Sequence, residues 1–163
     1  MNQRSKSSAI VLREPIANDV DAIDEIERLS FVHAGERFGH RRVRYLIGSR
    51  RAIVAVADVE GRVLGWVAGF AWHRGREPWG RVYALAVHPD ARGRKLGPLL
   101  MHQMIDALRQ RGAGRIFLEV RPDNHAAIRL YEKLGFVKCQ FLDHYYGQGK
   151  PAQRMALSAG SMQ

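Results

Sequence analysis

The sequence is poor in cysteine and in long apolar runs. Cys139 is the only cysteine among 163 residues, so no disulfide can form within the chain, and we expect a small buried thiol in a strand. No apolar run approaches the roughly 20 residues that cross a bilayer, and the first residues lack the apolar core of a secretory signal. We expect one cytoplasmic domain over 1–163, with an ordered core at about 10–157, frayed tails at 1–8 and 158–163, and no membrane association.

Acidic residues are also scarce relative to basic ones. The chain has 26 Lys and Arg against 16 Asp and Glu, a formal net charge of +10. This charge suits a polyanionic partner, such as a nucleic acid or a phosphate-rich cofactor. The basic residues are spread through the chain, and no recognised nucleic-acid motif is present. A nucleic-acid- or ribosome-binding module is therefore the weaker interpretation.

Common ligand-binding motifs are missing as well. Neither the nucleotide P-loop nor the dinucleotide fingerprint G-x-G-x-x-G occurs. The seven histidines are scattered without the spacing of metal ligands. We therefore expect no metal site.

The periodicity of apolar residues predicts alternating helices and strands. In 17–31, Val20, Ile23, Ile26 and Leu29 recur at helical spacing and should face a core. A crossover helix between two buried strands implies a parallel pair within a mostly antiparallel sheet. The pattern therefore predicts an α+β architecture with helices on both faces of the sheet. The predicted helices are 17–31, 39–48, 98–111 and 122–135, and the predicted strands are 52–58, 63–72, 81–87, 115–120, 136–146 and 152–157.

The step from the strand ending at 87 into the helix at 98 is unusually basic. Its sequence is HPDARGRKLGPLL, residues 88–100. A helix entered from a strand presents its first backbone N–H groups, unpaired, beside the positive end of the helix dipole. Gly93 and Gly97 let a ligand approach the backbone, and Arg92, Arg94 and Lys95 add charge. These features together predict a diphosphate-binding turn.

The same turn resembles the acyl-CoA signature of the GCN5-related N-acetyltransferase (GNAT) superfamily, [QR]-x-x-G-x-[GA]. Arg92 stands at the first position and Gly97 at the last, while Lys95 replaces the middle glycine. That replacement implies a backbone conformation that a non-glycine residue tolerates. The segment LEVRPDNHAAIRLYEKLGF, 118–136, resembles the second half of the family. The resemblance covers about 10–157 and is strongest to the ribosomal-protein alanine N-acetyltransferase (RimI-like) branch.

The resemblance implies a fold, a cofactor and a set of site residues. It implies a GNAT-like mixed α/β fold, in which a central twisted sheet contains a splayed parallel pair, and acetyl-CoA as co-substrate. It places the general base at Glu119, acting directly or through water, and the general acid at Tyr131. The cofactor-binding residues that it implies are Leu85, Ala86, Val87, Arg92, Gly93, Arg94, Lys95, Leu96, Gly97, Asn124 and Tyr131.

Each implied role has a simpler structural alternative. Glu119 sits in an otherwise apolar strand without a packing reason, but it would also suit an exposed edge strand or an ion pair with Arg121. Tyr131 shares a helix face with apolar residues and would suit the core, and Asn124 would suit a helix N-cap. Tyr145 and Tyr146 are alternative acids or substrate contacts, although packing in a strand explains them more simply.

The acceptor is expected to be a primary amine, foremost the N-terminal α-amine of a protein or peptide. A peptide α-amine has a pKa of about 7.7–8.0, so roughly a quarter of it is neutral near pH 7.3, against about a thousandth of a lysine side chain. Residues 30–45 are basic and would repel polyamines and aminoglycosides unless Glu36 offsets them. A small-molecule amine remains the alternative acceptor, and the protein is expected to be a monomer or homodimer.

Overall fold

Seven strands form a single mixed sheet in the computed structural model, which describes residues 9–160. The strand order is β1-β2-β3-β4-β5-β7-β6, and β4 and β5 are the parallel pair. The predicted fold class is therefore confirmed. The strands are β1 (Ile10–Arg13), β2 (Ala52–Val59), β3 (Arg62–Trp72), β4 (Trp79–Val87), β5 (Arg115–Val120), β6 (Val137–Leu142) and β7 (Ala152–Ser158).

Four helices cover the sheet, two on each face. The helices are α1 (Val20–Ser30), α2 (His40–Gly48), α3 (Leu96–Gln110) and α4 (His125–Lys133). One buried cluster joins α1 and α2 to β2, β3 and β4, and another joins α3 and α4 to the opposite face. The predicted tail 1–8 and the last residues, 161–163, lie outside the described residues.

One inward position of α1 was wrongly predicted. Leu29 is 49% exposed, whereas Glu27 is fully buried. At about 100° per residue, the side chain of Leu29 points to the opposite side of the helix from Val20, nine positions earlier. Glu27, seven positions after Val20 and four after Ile23, lies on the same face of the helix as those two residues. A carboxylate therefore occupies the core-facing position.

The parallel strands β4 and β5 separate soon after they meet. Their pairing extends only from Trp79↔Arg115 to Arg81↔Phe117. Beyond this point β4 continues to Val87 and β5 to Val120, but the two strands no longer pair with each other. The sheet is therefore forked on the carboxyl side of Arg81, as the predicted splay requires.

A bulge in β4 lies at the start of the fork. The register with β3 runs from Ala68↔Ala84 to Gly69↔Val82, which leaves Tyr83 as an extra residue. Val82 packs in the α3 cluster, whereas Ala84 packs in the α1 cluster. The bulge therefore reverses which side chains of β4 face each layer.

The prediction of a buried Cys139 was wrong. Cys139 is exposed and lies in β6, the edge strand, whose residues are nearly all exposed. The register between β6 and β7 shifts between Lys138 and Gln140, so Cys139 lies at an irregularity. Within residues 9–160, neither buried cluster includes a residue of β6, so this strand lies at the surface although its sequence is partly apolar.

Candidate active site

A cavity of about 900 Å³ lies where β4 and β5 separate. Its walls come from β4, from the end of β5, from the segment between α1 and α2, from α4 and from the turn after β6. Three of the predicted site residues, Glu119, Asn124 and Tyr131, line it together. Residues separated in sequence thus meet at the fork.

The Glu119 carboxylate is almost fully enclosed, with 4% of its side chain exposed. Arg81 Nε donates to Oε2 at 2.9 Å, and Arg154 Nε donates to Oε1 at 2.8 Å. The alternative of an ion pair with Arg121 was wrong, since Arg121 binds Glu36 and Asp123 instead. Two guanidinium groups thus fix the carboxylate, and its remaining lone pairs can still accept a hydrogen bond.

Tyr131 belongs both to the core and to the cavity wall. Its ring meets Phe136 edge-on at 6.0 Å between centroids, and the residue is 8% exposed. Burial raises the pKa of its hydroxyl to about 12. That hydroxyl makes no hydrogen bond to any of residues 9–160. A protonated phenol is thus available at the cavity.

Tyr145 and Tyr146 lie in a turn after β6, not in a strand as predicted. Their rings are perpendicular, with centroids 4.9 Å apart. The Tyr146 hydroxyl donates to the Glu119 carbonyl oxygen at 3.5 Å, and the Arg81 guanidinium donates to the Tyr145 hydroxyl oxygen. Burial raises the pKa of both hydroxyls. The two side chains close one side of the cavity over Glu119.

The structure places a second buried carboxylate, Glu27, in the wall of the cavity. Its Oε1 accepts from Trp66 Nε1 and its Oε2 from the Phe38 amide, each at 2.9 Å. Burial raises the pKa of Glu27 to about 7. Glu27 was not predicted from the sequence, although its spacing from Val20 and Ile23 places it on the buried face of α1.

Two arginines hold the segment between α1 and α2 in place. Arg37 Nε donates to the Phe31 carbonyl oxygen at 2.6 Å and closes the segment on itself. Arg121 Nη1 donates to Glu36 Oε1 at 2.7 Å and ties the segment to the end of β5. This wall of the cavity is thus fixed on both sides.

The predicted diphosphate turn leads directly into α3. Gly93 has a φ of +81° and Lys95 a φ of +60°. The backbone of Lys95 thus has the left-handed conformation that glycine favours. A non-glycine residue in this conformation costs about 1–2 kcal/mol. No backbone or side-chain acceptor in residues 9–160 binds the N–H groups of Gly93, Lys95, Leu96 or Gly97. The side chains of Arg92, Arg94 and Lys95 are exposed.

The backbone of β4 points amides toward the open side of the fork. The His88 amide donates to the Leu64 carbonyl oxygen on β3 at 2.8 Å. Because successive residues of a strand alternate edges, the amides of Val87 and Leu85 point away from β3, and that of Ala86 points toward it. Two of the three predicted β4 residues therefore present N–H groups to the fork.

Asn124 fulfils its alternative role as a helix cap. Its Oδ1 accepts from the Ala127 amide at 3.2 Å, at the start of α4. The residue also lines the cavity. Its side-chain amide nitrogen makes no hydrogen bond to residues 9–160 and can serve a ligand.

Residues 9–160 contain no group of three or more His, Cys, Asp or Glu placed to hold a metal ion. No helix in that range has the length and apolar character needed to cross a membrane.

The forked sheet, the glycine-containing turn before α3 and the enclosed glutamate are the features expected of an acyltransferase. The family model described as "Acetyltransferase (GNAT) family" matches residues 20–136. The chain belongs to this family and is an N-acetyltransferase. The expected family is confirmed.

Individual relatives agree with this assignment. An N-alpha-acetyltransferase of Sulfurisphaera tokodaii is 30% identical over 94% of this chain and 96% of its own length. The ribosomal protein bS18-alanine N-acetyltransferase of Salmonella typhimurium is 45% identical over 40% of this chain and 44% of its own length. The crystal structure of the Escherichia coli ribosomal-protein-S18-alanine N-acetyltransferase superposes with a TM-score of 0.77, 26% identity, and coverage of 95% of this chain and 96% of that chain. These similarities confirm the predicted likeness to the RimI-like branch.

Proposed function

We propose that this protein transfers the acetyl group of acetyl-CoA to the N-terminal α-amine of a protein or peptide. The observation that carries the proposal is the cavity of about 900 Å³ at the fork, where Glu119, Asn124 and Tyr131 meet. A proton acceptor and a proton donor on opposite elements, β5 and α4, suit a reaction in which an amine loses a proton and a leaving sulfur gains one.

The turn before α3 fits the diphosphate of coenzyme A. The free amides of Gly93, Lys95, Leu96 and Gly97 offer four donors at the positive end of the α3 dipole. Three exposed cationic side chains surround them. Bound acetyl-CoA supplies the acetyl thioester. The amides of Leu85 and Val87 face the fork and can donate to a carbonyl oxygen there.

We assign the proton acceptor to Glu119. Arg81 and Arg154 hold its two oxygens without exhausting their lone pairs. The carboxylate can therefore accept a proton from the amine, directly or through one water. Tyr146, whose hydroxyl reaches the Glu119 carbonyl, restricts the access of solvent.

We assign the proton donor to Tyr131. Its hydroxyl holds a proton at neutral pH because the pKa is about 12. The hydroxyl of Tyr145 is engaged by Arg81 and that of Tyr146 by Glu119, whereas that of Tyr131 has no partner in residues 9–160. Tyr131 is therefore the phenol best placed to give up a proton.

The carboxylates that line the cavity are engaged by groups of the protein, including Glu27, which accepts from Trp66 and from the Phe38 amide. Glu36 is bound by Arg121, and Glu119 is bound by Arg81 and Arg154. No acidic side chain in these two clusters is free to attract a polyamine or an aminoglycoside. The names of the relatives from Sulfurisphaera and Salmonella, both N-terminal acetyltransferases, support the same acceptor.

An assay of coenzyme A release against a panel of acceptors tests the proposal. The panel contains peptides with free N-termini, N-blocked lysine peptides, polyamines and aminoglycosides. We expect turnover with free N-termini and at least a hundredfold lower kcat/KM with the others. Faster turnover of a small amine would select the alternative acceptor class. Absence of turnover together with salt-sensitive nucleic-acid binding would support the binding-module interpretation.

A further inference from the structure

A second, smaller cavity of about 380 Å³ adjoins the first. Arg81 and Glu119 line both cavities, so the ion pair between them forms the shared wall. The second cavity extends from that wall toward the start of β5. Its lining residues are Glu77, Pro78, Trp79, Arg81, Arg115, Phe117, Glu119 and Arg154.

The apolar part of this cavity is an aromatic platform. Trp79 stacks on Trp72 with centroids 4.5 Å apart and an interplanar angle of 13°. Phe117 meets Trp79 edge-on at 5.9 Å. The buried cluster of α1 and α2 includes residues of β2, β3 and β4 but none of β5 or β7. This part of the sheet face is therefore open to a ligand.

The side chains that line this cavity carry a net positive charge, because three arginines stand against two glutamates. Arg81 and Arg154 are engaged by Glu119. Arg115 is exposed and forms no ion pair with any of residues 9–160; its guanidinium lies over the Phe117 ring, 5.1 Å from the centroid. Glu77, the other charged lining residue without an ion pair to residues 9–160, lies near the same end of the cavity, where the Gly114 amide donates to the Pro78 carbonyl oxygen at 2.9 Å. The cation on the aromatic platform suits a carboxylate.

We propose that this cavity binds an acidic side chain of the acceptor peptide, about four residues after the reactive amine. The inference rests on the proposed function. Glu119 follows Arg115 by four positions along β5, a span of about 13 Å at roughly 3.3 Å per residue. An extended peptide rises by the same amount per residue. An amine beside Glu119 thus brings its fourth to sixth residues to Arg115.

A scan of acceptor peptides tests this subsite. In a neutral peptide of about eight residues, a single Glu replaces Gln at each position from 2 to 8, and kcat/KM is measured for each. We expect the Glu peptides at positions 4 to 6 to exceed their Gln counterparts at least fivefold, mainly through a lower KM. A profile that is flat, or that rises equally at every position, would contradict the subsite.

Variants of Arg115 separate local recognition from the net charge of the protein. Arg115→Gln should reduce the Glu/Gln ratio at positions 4 to 6 to near one, and Arg115→Glu should reverse the preference in favour of Lys. Arg76→Gln removes the same charge from the nearby exposed loop and should leave the ratio as it is. Equal effects of the Arg115 and Arg76 variants would overturn the inference.

The outcomes also distinguish failure of this inference from failure of the proposed function. If no peptide is acetylated, the proposed function fails. If peptides are acetylated without regard to acidic residues, only the subsite fails. If Arg115→Glu changes the sedimentation coefficient and leaves the peptide ratio unaffected, the cavity faces a second copy of the chain, and the subsite is overturned.

Discussion

Arg81 and Glu119 bind each other just beyond the last paired residues of the parallel strands. Arg81 is the final β4 residue in register with β5, opposite Phe117, and Glu119 lies two residues further along β5. Their ion pair, with Nε and Oε2 2.9 Å apart, links β4 and β5 through side chains at the point where backbone pairing between the two strands ends. The same carboxylate that fixes the width of the fork is therefore the one we assign as proton acceptor.

Replacing Glu119 by Gln should lower kcat by about 10²-fold or more, because an amide cannot take up the proton of the amine. The affinity for coenzyme A, measured by calorimetry, should change less than twofold, since the diphosphate turn is elsewhere. Glu25→Gln, at an exposed position of α1 outside both cavities, is the matched control and should keep its kcat. Retention of more than a tenth of the kcat by Glu119→Gln would refute the assignment.

Replacing Tyr131 by Phe should reduce kcat by about 10²- to 10⁴-fold if the hydroxyl is the proton donor. Phe retains the ring that packs on Phe136, so the melting temperature should be nearly unchanged. The variants Tyr145→Phe and Tyr146→Phe test the alternative donors in the same assay. A loss below tenfold for Tyr131→Phe, with a greater loss for either of the others, would move the role to that residue.

Two substitutions of Lys95 separate charge from backbone conformation. Lys95→Ala removes the ammonium but keeps a side chain in the left-handed region, whereas Lys95→Gly removes both the charge and the strain. Both should weaken coenzyme A binding at low salt, because each loses one cation near the diphosphate. Lys95→Gly should be more stable than Lys95→Ala by about 1 kcal/mol in urea unfolding. Equal stabilities would show that the left-handed turn is not strained.

Glu27 should make the stability of the protein depend on pH between about 4.5 and 7. Burial raises its pKa from 4.5 to about 7, so the folded state binds this proton more tightly than the unfolded chain does. The contribution of protonated Glu27 to the free energy of unfolding is therefore present in full below pH 4.5. It is lost as the pH rises to 7, by on the order of 3 kcal/mol.

Urea unfolding of Glu27→Gln from pH 4.5 to 8 measures this contribution. The amide side chain introduced by this substitution cannot ionise, so the free energy of unfolding of the variant should increase relative to that of the wild type as the pH rises. Glu25→Gln, on the exposed side of the same helix, changes the charge equally without the burial and should show no such trend. A difference between Glu27→Gln and wild type that stays constant over this range would exclude the buried titration.

Local patterns in the sequence were sufficient to predict the layers and the parallel strand pair, whereas the fork was expected only from the family resemblance. The strand 115–120 and the helix ending at Gly48 were predicted correctly, because apolar periodicity is a property of neighbouring residues. The resemblance then placed Glu119 and Tyr131, which the fold brings to one cavity.

The partners of these residues were not predictable in the same way. Arg81 and Arg154 lie 38 and 35 positions from Glu119, on two different strands. Glu27 meets Trp66 across 39 positions. Such contacts depend on strand order and on the bulge at Tyr83, neither of which leaves a local pattern in the sequence.

The exposed edge strand has a practical consequence for measuring motion in this enzyme. Since Cys139 is the only thiol and is exposed, a maleimide fluorophore will label the unmodified sequence at one known position. Its sulfur lies 3.6 Å from the carbonyl oxygen of Arg154, the residue that holds Glu119 from β7. A dye there is one strand from the proposed proton acceptor, and its emission can follow the turn at 143–146 as substrates enter and leave.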